Sequence, residues 1–171
     1  FAQFSSSGGS FDYYSKSHAL RFFVFFILFL IVSIVEIRFW HSASFLIFII
    51  LLLLLIFVKF YGIQSQGSRR WVNLFVINLQ PSELMKVGII LFLSNYYHKI
   101  SEGDVNKVRF LLYPVIAIVA PFILVISQPD LGTAILILLS GVVVTWLAGV
   151  RWKIFAYLSL ASIVLAPVVI S

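Results

Sequence analysis

"FLIFIILLLLLIFV", Phe45–Val58, is an unbroken apolar run with no charge, glycine or proline. A helix that is apolar on every side belongs in a large core or in lipid. A membrane-spanning strand would be shorter and would alternate apolar with polar residues, and this run does not alternate. The rest of the chain points the same way. Over 171 residues it is 62% hydrophobic and 11% charged, with eighteen phenylalanines and a mean hydropathy of +1.12. An average soluble domain is about half apolar and a quarter charged. The predicted fold class is therefore all-α, a polytopic transmembrane helix bundle lodged in a lipid bilayer.

Six apolar segments stand out, at about 20–35, 43–58, 82–97, 111–127, 131–150 and 154–170. Each approaches the roughly 17–25 residues that a tilted helix needs to cross a bilayer. They are read as one transmembrane domain over 1–171. The first residue is Phe and the last residues, "LAPVVIS", stop inside an apolar run. The expectation is the N-terminal portion of a longer chain, with no signal peptide in view.

The net charge is +6. Its basic residues mark the ends of apolar runs rather than forming the stripe that phosphates in series require, so nucleic acid is not an expected partner. All four tryptophans (Trp40, Trp71, Trp146 and Trp152) lie near span ends, as interfacial anchors do. Cysteine is absent, which removes disulfides, thiolate metal sites and a cysteine nucleophile. The three histidines (His18, His41 and His98) lack metal-ligand spacing and are assigned to the interface. No cofactor motif is present.

Alternation of the spans sets Lys16, Arg21, Lys59, Arg69, Arg70 and Lys86 on one side. Arg38, Lys99, Lys107, Arg109, Arg151 and Lys153 fall on the other. Six against six leaves the positive-inside rule undecided. If Arg69, Arg70 and Lys86 have a functional reason to be where they are, the second side is cytoplasmic, six against three.

Three constellations fall on the first side. "GSRRWVN", Gly67–Asn73, sets Arg69 and Arg70 beside Trp71. Two guanidinium forks suit phosphate oxygens, and surface charge touching anionic lipid would use the same residues. "QPSELMK", Gln80–Lys86, reads as a helix start, with Pro81 at the first position, Gln80 or Ser82 as cap and Glu83 in the first turn. Glu83 and Lys86 share a face, yet ionisable groups entering a bilayer are costly, about 2.5–3.5 kcal/mol at its centre. "SQPDLGTA", Ser127–Ala134, reads as a second Gln-Pro helix start, with Gln128 before it and Asp130 in its first turn. All three are expected to converge on one cavity. Pro114 and Pro121 fall in the fourth span, where packing is the preferred reading. Gly132, Gly141 and Gly149 allow close helix contact in the fifth.

"GSRRW", "QPSELMK" and "QPDLGTA", in that order on consecutive loops of one side, resemble the SEDS family of bacterial shape, elongation, division and sporulation proteins. "GGSF" at 8–11 and "EIRFW" at 36–40 look more like the elongation branch, RodA, than the division branch, FtsW. The resemblance implies a bundle of about ten helices in the bacterial inner membrane that polymerises peptidoglycan from lipid II by glycosyl transfer. It implies a class B penicillin-binding protein, a transpeptidase, as partner. Glu83 and Lys86 match the family's buried charged pair, and Asp130 the acid of its second Gln-Pro turn. Arg69 and Arg70 match the basic residues before Trp71, where RodA proteins often carry Gln in place of Arg69. The resemblance puts the general base C-terminal to Ser171, so the fragment alone is expected to be inactive, with its own catalytic residue unknown. A divalent cation could accompany the diphosphate. Two other classes fit a polar cavity in a bundle: a flippase for lipid-linked precursors, and a non-catalytic scaffold for the transpeptidase.

Overall fold

Lipid offers a backbone no hydrogen-bond partners, so apolar runs close their bonds internally as helices. The computed structural model describes residues 11–65, 68–73, 78–101 and 103–156. Helices α1 (Phe11–Ile34), α2 (Ile37–Tyr61), α3 (Pro81–His98), α4 (Val108–Ile126) and α5 (Leu131–Leu147) occupy five of the six apolar segments. A further helical segment begins at 152 and is described to 156. The remainder of the expected sixth segment, like "GGS" at 8–10, lies outside the described residues. α1 starts nine residues ahead of the apolar run. "EIRFWH" is not a loop, since only Val35 and Glu36 separate α1 from α2.

The chain divides into two units, residues 1–40 and 41–171. In the first, α1 shows apolar side chains on all sides, with Phe22 stacked on Phe26 at 6.0 Å and Phe29 64% exposed.

The second unit is a bundle built on periodic faces. In α2, Ser44, Phe48, Leu51, Leu55 and Val58 are buried, alternating steps of four and three along one stripe. Opposite them α3 buries Met85, Ile89 and Leu93, and Phe48 stacks on Phe92 at 4.6 Å. Asn95 Nδ2 donates to Ser44 Oγ at 2.6 Å and to the His41 carbonyl at 2.8 Å. The His41 and His98 rings meet edge to face at 5.0 Å. The start of α2 thus lies beside the end of α3, and the two run antiparallel. α4 buries Leu111, Pro114, Ile118, Pro121 and Val125. The prolines are seven residues apart on the inner face, so they serve packing as expected. Gly141 of α5 lies where a Cβ would be 2.5 Å from Ile118 Cγ1, which is how α4 and α5 come so close.

That contact makes a contrast between two glycines of one helix. Gly141→Val should cost about 1–3 kcal/mol by overpacking. Gly132→Ala, with nothing within 4 Å of its added Cβ, should stabilise by about 0.4–1 kcal/mol through reduced unfolded-chain entropy. Thermal unfolding of the two variants in detergent reads the difference. Equal shifts would refute the close approach.

α2 and α4 are long and apolar enough to cross a membrane, and only 28% of each apolar window is buried. The core helix of a soluble protein would be mostly covered. One feature departs from pure helix: β1 (Ile63–Ser65), β2 (Ser68–Asn73) and β3 (Asn78–Leu79) form a small antiparallel sheet in order β1-β2-β3 between α2 and α3.

Candidate functional site

Trp71 and Val72 favour extended backbone, and they hold β2 between its neighbours. Ile63 pairs with Trp71, but the next residue, Gln64, pairs with Arg69. One step on β1 spans two on β2, so Arg70 is the extra residue of a bulge. Bulges turn a side chain away from the regular alternation. Arg70 leaves the sheet and reaches the turn between α4 and α5. There its Nε donates to the Gln128 carbonyl at 2.9 Å, and Nη2 donates to the Pro129 carbonyl at 2.5 Å. Nη1 lies 3.8 Å from Asp130 Oδ2.

Asp130 is spent on structure. It is the N-cap of α5, and its Oδ1 accepts from the Thr133 amide at 3.2 Å. Its Oδ2 accepts from Gln80 Nε2 at 3.0 Å, and its side chain is 13% exposed. Gln80 Nε2 also donates to Ser82 Oγ at 3.0 Å. Gln128 is 5% exposed and its Nε2 donates to the Leu55 carbonyl of α2 at 3.2 Å. Arg70, Gln80, Gln128 and Asp130 therefore form one knot. It joins the end of α2, the sheet, the start of α3 and the α4–α5 turn.

Two expectations about the helix starts are corrected. Gln80 holds the N-cap position of α3 but makes no capping bond, because its amide is turned toward Ser82 and Asp130. Pro81 is the first residue of α3, whereas Pro129 lies in the turn before Leu131 opens α5. The second Gln-Pro is therefore not a helix start.

Lys86 Nζ donates to Glu83 Oε2 at 2.8 Å. The Glu83 side chain is 53% exposed and that of Lys86 24%. The pair expected to be buried stands at the rim of this unit, at the same end as the knot. Among the described residues no hydrogen bond or ion pair links it to Arg70 or Asp130, so the expected convergence is of place and not of contact. Trp71 is half-buried on β2. Arg69 pairs through its backbone with Gln64, and its side chain lies outside the described residues. No three His, Cys, Asp or Glu come together as a metal site among the described residues. Thr133 was missed by sequence reading. Any residue but proline supplies that backbone amide, so the signal lies in Asp130 itself, a strong N-cap type just before an apolar run.

Residues 2–171 match the profile of the family described as Cell cycle protein, FTSW_RODA_SPOVE. The chain belongs to this family. Among its relatives is the probable peptidoglycan glycosyltransferase FtsW of Buchnera aphidicola subsp. Baizongia pistaciae, 33% identical over 92% of this chain and 42% of its own length. The peptidoglycan glycosyltransferase MrdB of Escherichia coli K12 is 34% identical over 57% of this chain and 26% of its own. The chain thus spans under half the length of these relatives. The crystal structure of the rod shape determining protein RodA from Thermus thermophilus superposes with a TM-score of 0.73. It is 24% identical and covers 90% of this chain and 49% of that one. A structure of a peptidoglycan synthase complex that coordinates polymerization and crosslinking gives 0.76 at 24% identity, over 89% and 46%. The two structures share the fold, and the FtsW/RodA/SpoVE family places the chain among membrane proteins.

Proposed function

We propose that this chain is part of a RodA-like peptidoglycan glycosyltransferase that polymerises lipid II during cell-wall elongation and shape maintenance. Family membership and the peptidoglycan glycosyltransferase activity for which FtsW and MrdB are named support the reading. The observation that carries it is the Glu83–Lys86 pair, half open at the rim beside the Arg70 knot. A partly exposed pair three residues apart contributes only about 0.2–0.5 kcal/mol to a helix, too little to explain two charges entering an apolar segment.

Glycosyl transfer forms a bond from an acceptor hydroxyl oxygen to the anomeric carbon and breaks the bond to the lipid diphosphate. The hydroxyl proton passes to a base, and charge grows on the leaving diphosphate. Lys86, oriented by Glu83, supplies positive charge there, with Arg69 and Trp71 on the adjoining strand. Arg70, Gln80, Gln128 and Asp130 hold the wall of the site, since their polar atoms are engaged with one another. A divalent cation on the diphosphate would find Glu83 the more open of the two carboxylates. The general base is not assigned to any residue of this chain.

Arg70 and Lys86 on one side and Lys107 on the other have local carboxylate partners, and setting all three aside leaves the positive-inside balance at four against five. The 99–109 and 151–153 end then faces the cytoplasm and the site faces outward, in a multi-pass protein of the bacterial inner membrane. A class B penicillin-binding protein is the partner proposed for crosslinking, in keeping with the synthase complex that shares the fold.

Full-length protein in proteoliposomes supplied with lipid II should yield glycan strands. Lipid flipping without polymerisation would show a transporter instead. The division role has one observation in its favour, the longer match to FtsW than to MrdB. Restoring rod shape in a strain depleted of its elongation member decides for elongation; restoring septation in the division counterpart decides against it.

A further inference from the structure

Lys99, Lys107, Arg109, Arg151 and Lys153 are scattered in sequence, and the fold gathers them at the end of the second unit opposite the Arg70 knot. Asn106 does the gathering. Its Nδ2 donates to the Gly149 carbonyl at 3.4 Å and its Oδ1 accepts from the Arg151 amide at 2.9 Å. One side chain thus staples the α3–α4 turn to the turn after α5. Gly149, at φ +94°, makes the second turn, and Val105 and Val150 are buried beneath the two.

All five cations are exposed. Among the described residues only Lys107 has a carboxylate partner, Asp104 at 2.5 Å. Lys99 and Arg151 follow the C-terminal ends of α3 and α5, where the helix dipole favours a cation. Lys107 and Arg109 stand at the start of α4, where the dipole opposes one; Asp104 offsets Lys107, and Arg109 has no carboxylate partner among the described residues. Beside these charges lie bare apolar side chains: Val108 is 82% exposed, Leu147 72% and Trp152 67%. A small anion or an acidic peptide has no use for that border. A phospholipid has a charge and a chain together.

We propose that this end binds an anionic phospholipid, its phosphate among Lys107, Arg109, Arg151 and Lys153. Asn106 is the positioning residue, and an acyl chain lies along Val108 and Leu147. The site is separate from the glycosyltransferase reading and rests only on the chain's place in a membrane.

The test titrates purified full-length protein in detergent with fluorescent phosphatidylglycerol, with phosphatidylcholine as control. Phosphatidylglycerol should bind at least about tenfold tighter. Arg109→Gln with Arg151→Gln should remove roughly a tenfold factor or more, and Arg109→Gln alone a smaller one in the same direction. Asn106→Ala should weaken binding with no loss of charge. Lys59→Gln, at the other end, should not. Raising salt should narrow the preference. Unchanged phosphatidylglycerol affinity in the double variant overturns the proposal. So does equal binding of phosphatidylcholine, or displacement by millimolar inorganic phosphate or a polyglutamate peptide as effective as displacement by lipid.

Discussion

Full-length protein carrying Lys86→Ala should polymerise lipid II roughly a hundredfold to a thousandfold more slowly, the range seen when a charge-stabilising donor is removed from an active site. The loss should fall on the rate and not on folding. Among the described residues Lys86 makes one bond, to Glu83 at 2.8 Å, and a pair this open contributes a few tenths of a kcal/mol. Thermal unfolding should therefore stay close to that of the parent. Lys86→Arg should recover part of the rate, because charge is kept while the point-like ammonium is lost. Glu83→Ala should fall between them, since it leaves the charge and removes only its orientation. Near-normal polymerisation by the alanine variants at equal expression would refute a role for the pair in catalysis.

Arg70→Met should have the opposite signature, a loss of stability that drags activity down with it. The guanidinium donates to two carbonyl oxygens and lies 3.8 Å from a carboxylate. Hydrogen bonds from a charged donor are worth about 1.5–3 kcal/mol each. Arg70 is 28% exposed, so water replaces part of what is lost, and the net cost should be about 2–4 kcal/mol. Asp130→Asn separates the contributions. Asparagine still caps a helix through its one oxygen, but its Nδ2 donor then stands where Oδ2 accepts from Gln80, so the charge and that bond go together and the cost should be about 1–2 kcal/mol. A cost equal to that of Arg70→Met would mean that the Asp130 Oδ2 contacts, and not the carbonyl clasp, hold the turn. Thermal unfolding of the two variants and their combination in detergent measures both terms.

The bundle was legible because Phe45–Val58 admits few other readings, and because the inner faces of α2 and α4 repeat at helical spacing. The sheet was not. Trp71–Val72 and Phe75–Ile77 favour extended backbone, but runs of two and three residues among mixed neighbours do not make a period. The two Gln-Pro dipeptides looked alike and are not. Asp130 is a strong cap and moves the start of α5 past Pro129. Ser82, in the matching position, sits inside α3 and accepts from Gln80. Alternation of the spans correctly set Arg70, Glu83, Lys86 and Asp130 at one end. It could not tell that Arg70 and Asp130 touch while Glu83 and Lys86 keep to themselves, because that depends on a one-residue bulge in β2.

Arg70 and the Gln128 carbonyl that it holds are 58 residues apart. On a growing chain translated at about 5–20 residues per second, that gap is about 3–12 s. Through that interval β2 has been made and the carbonyls that its Arg70 holds have not. The knot is therefore a late event in assembly. A stall before residue 128 leaves the clasp unmade, so in a ribosome-arrested series that keeps Arg70, its guanidinium should lose reactivity toward an arginine-selective dicarbonyl reagent only once the α4–α5 turn has emerged.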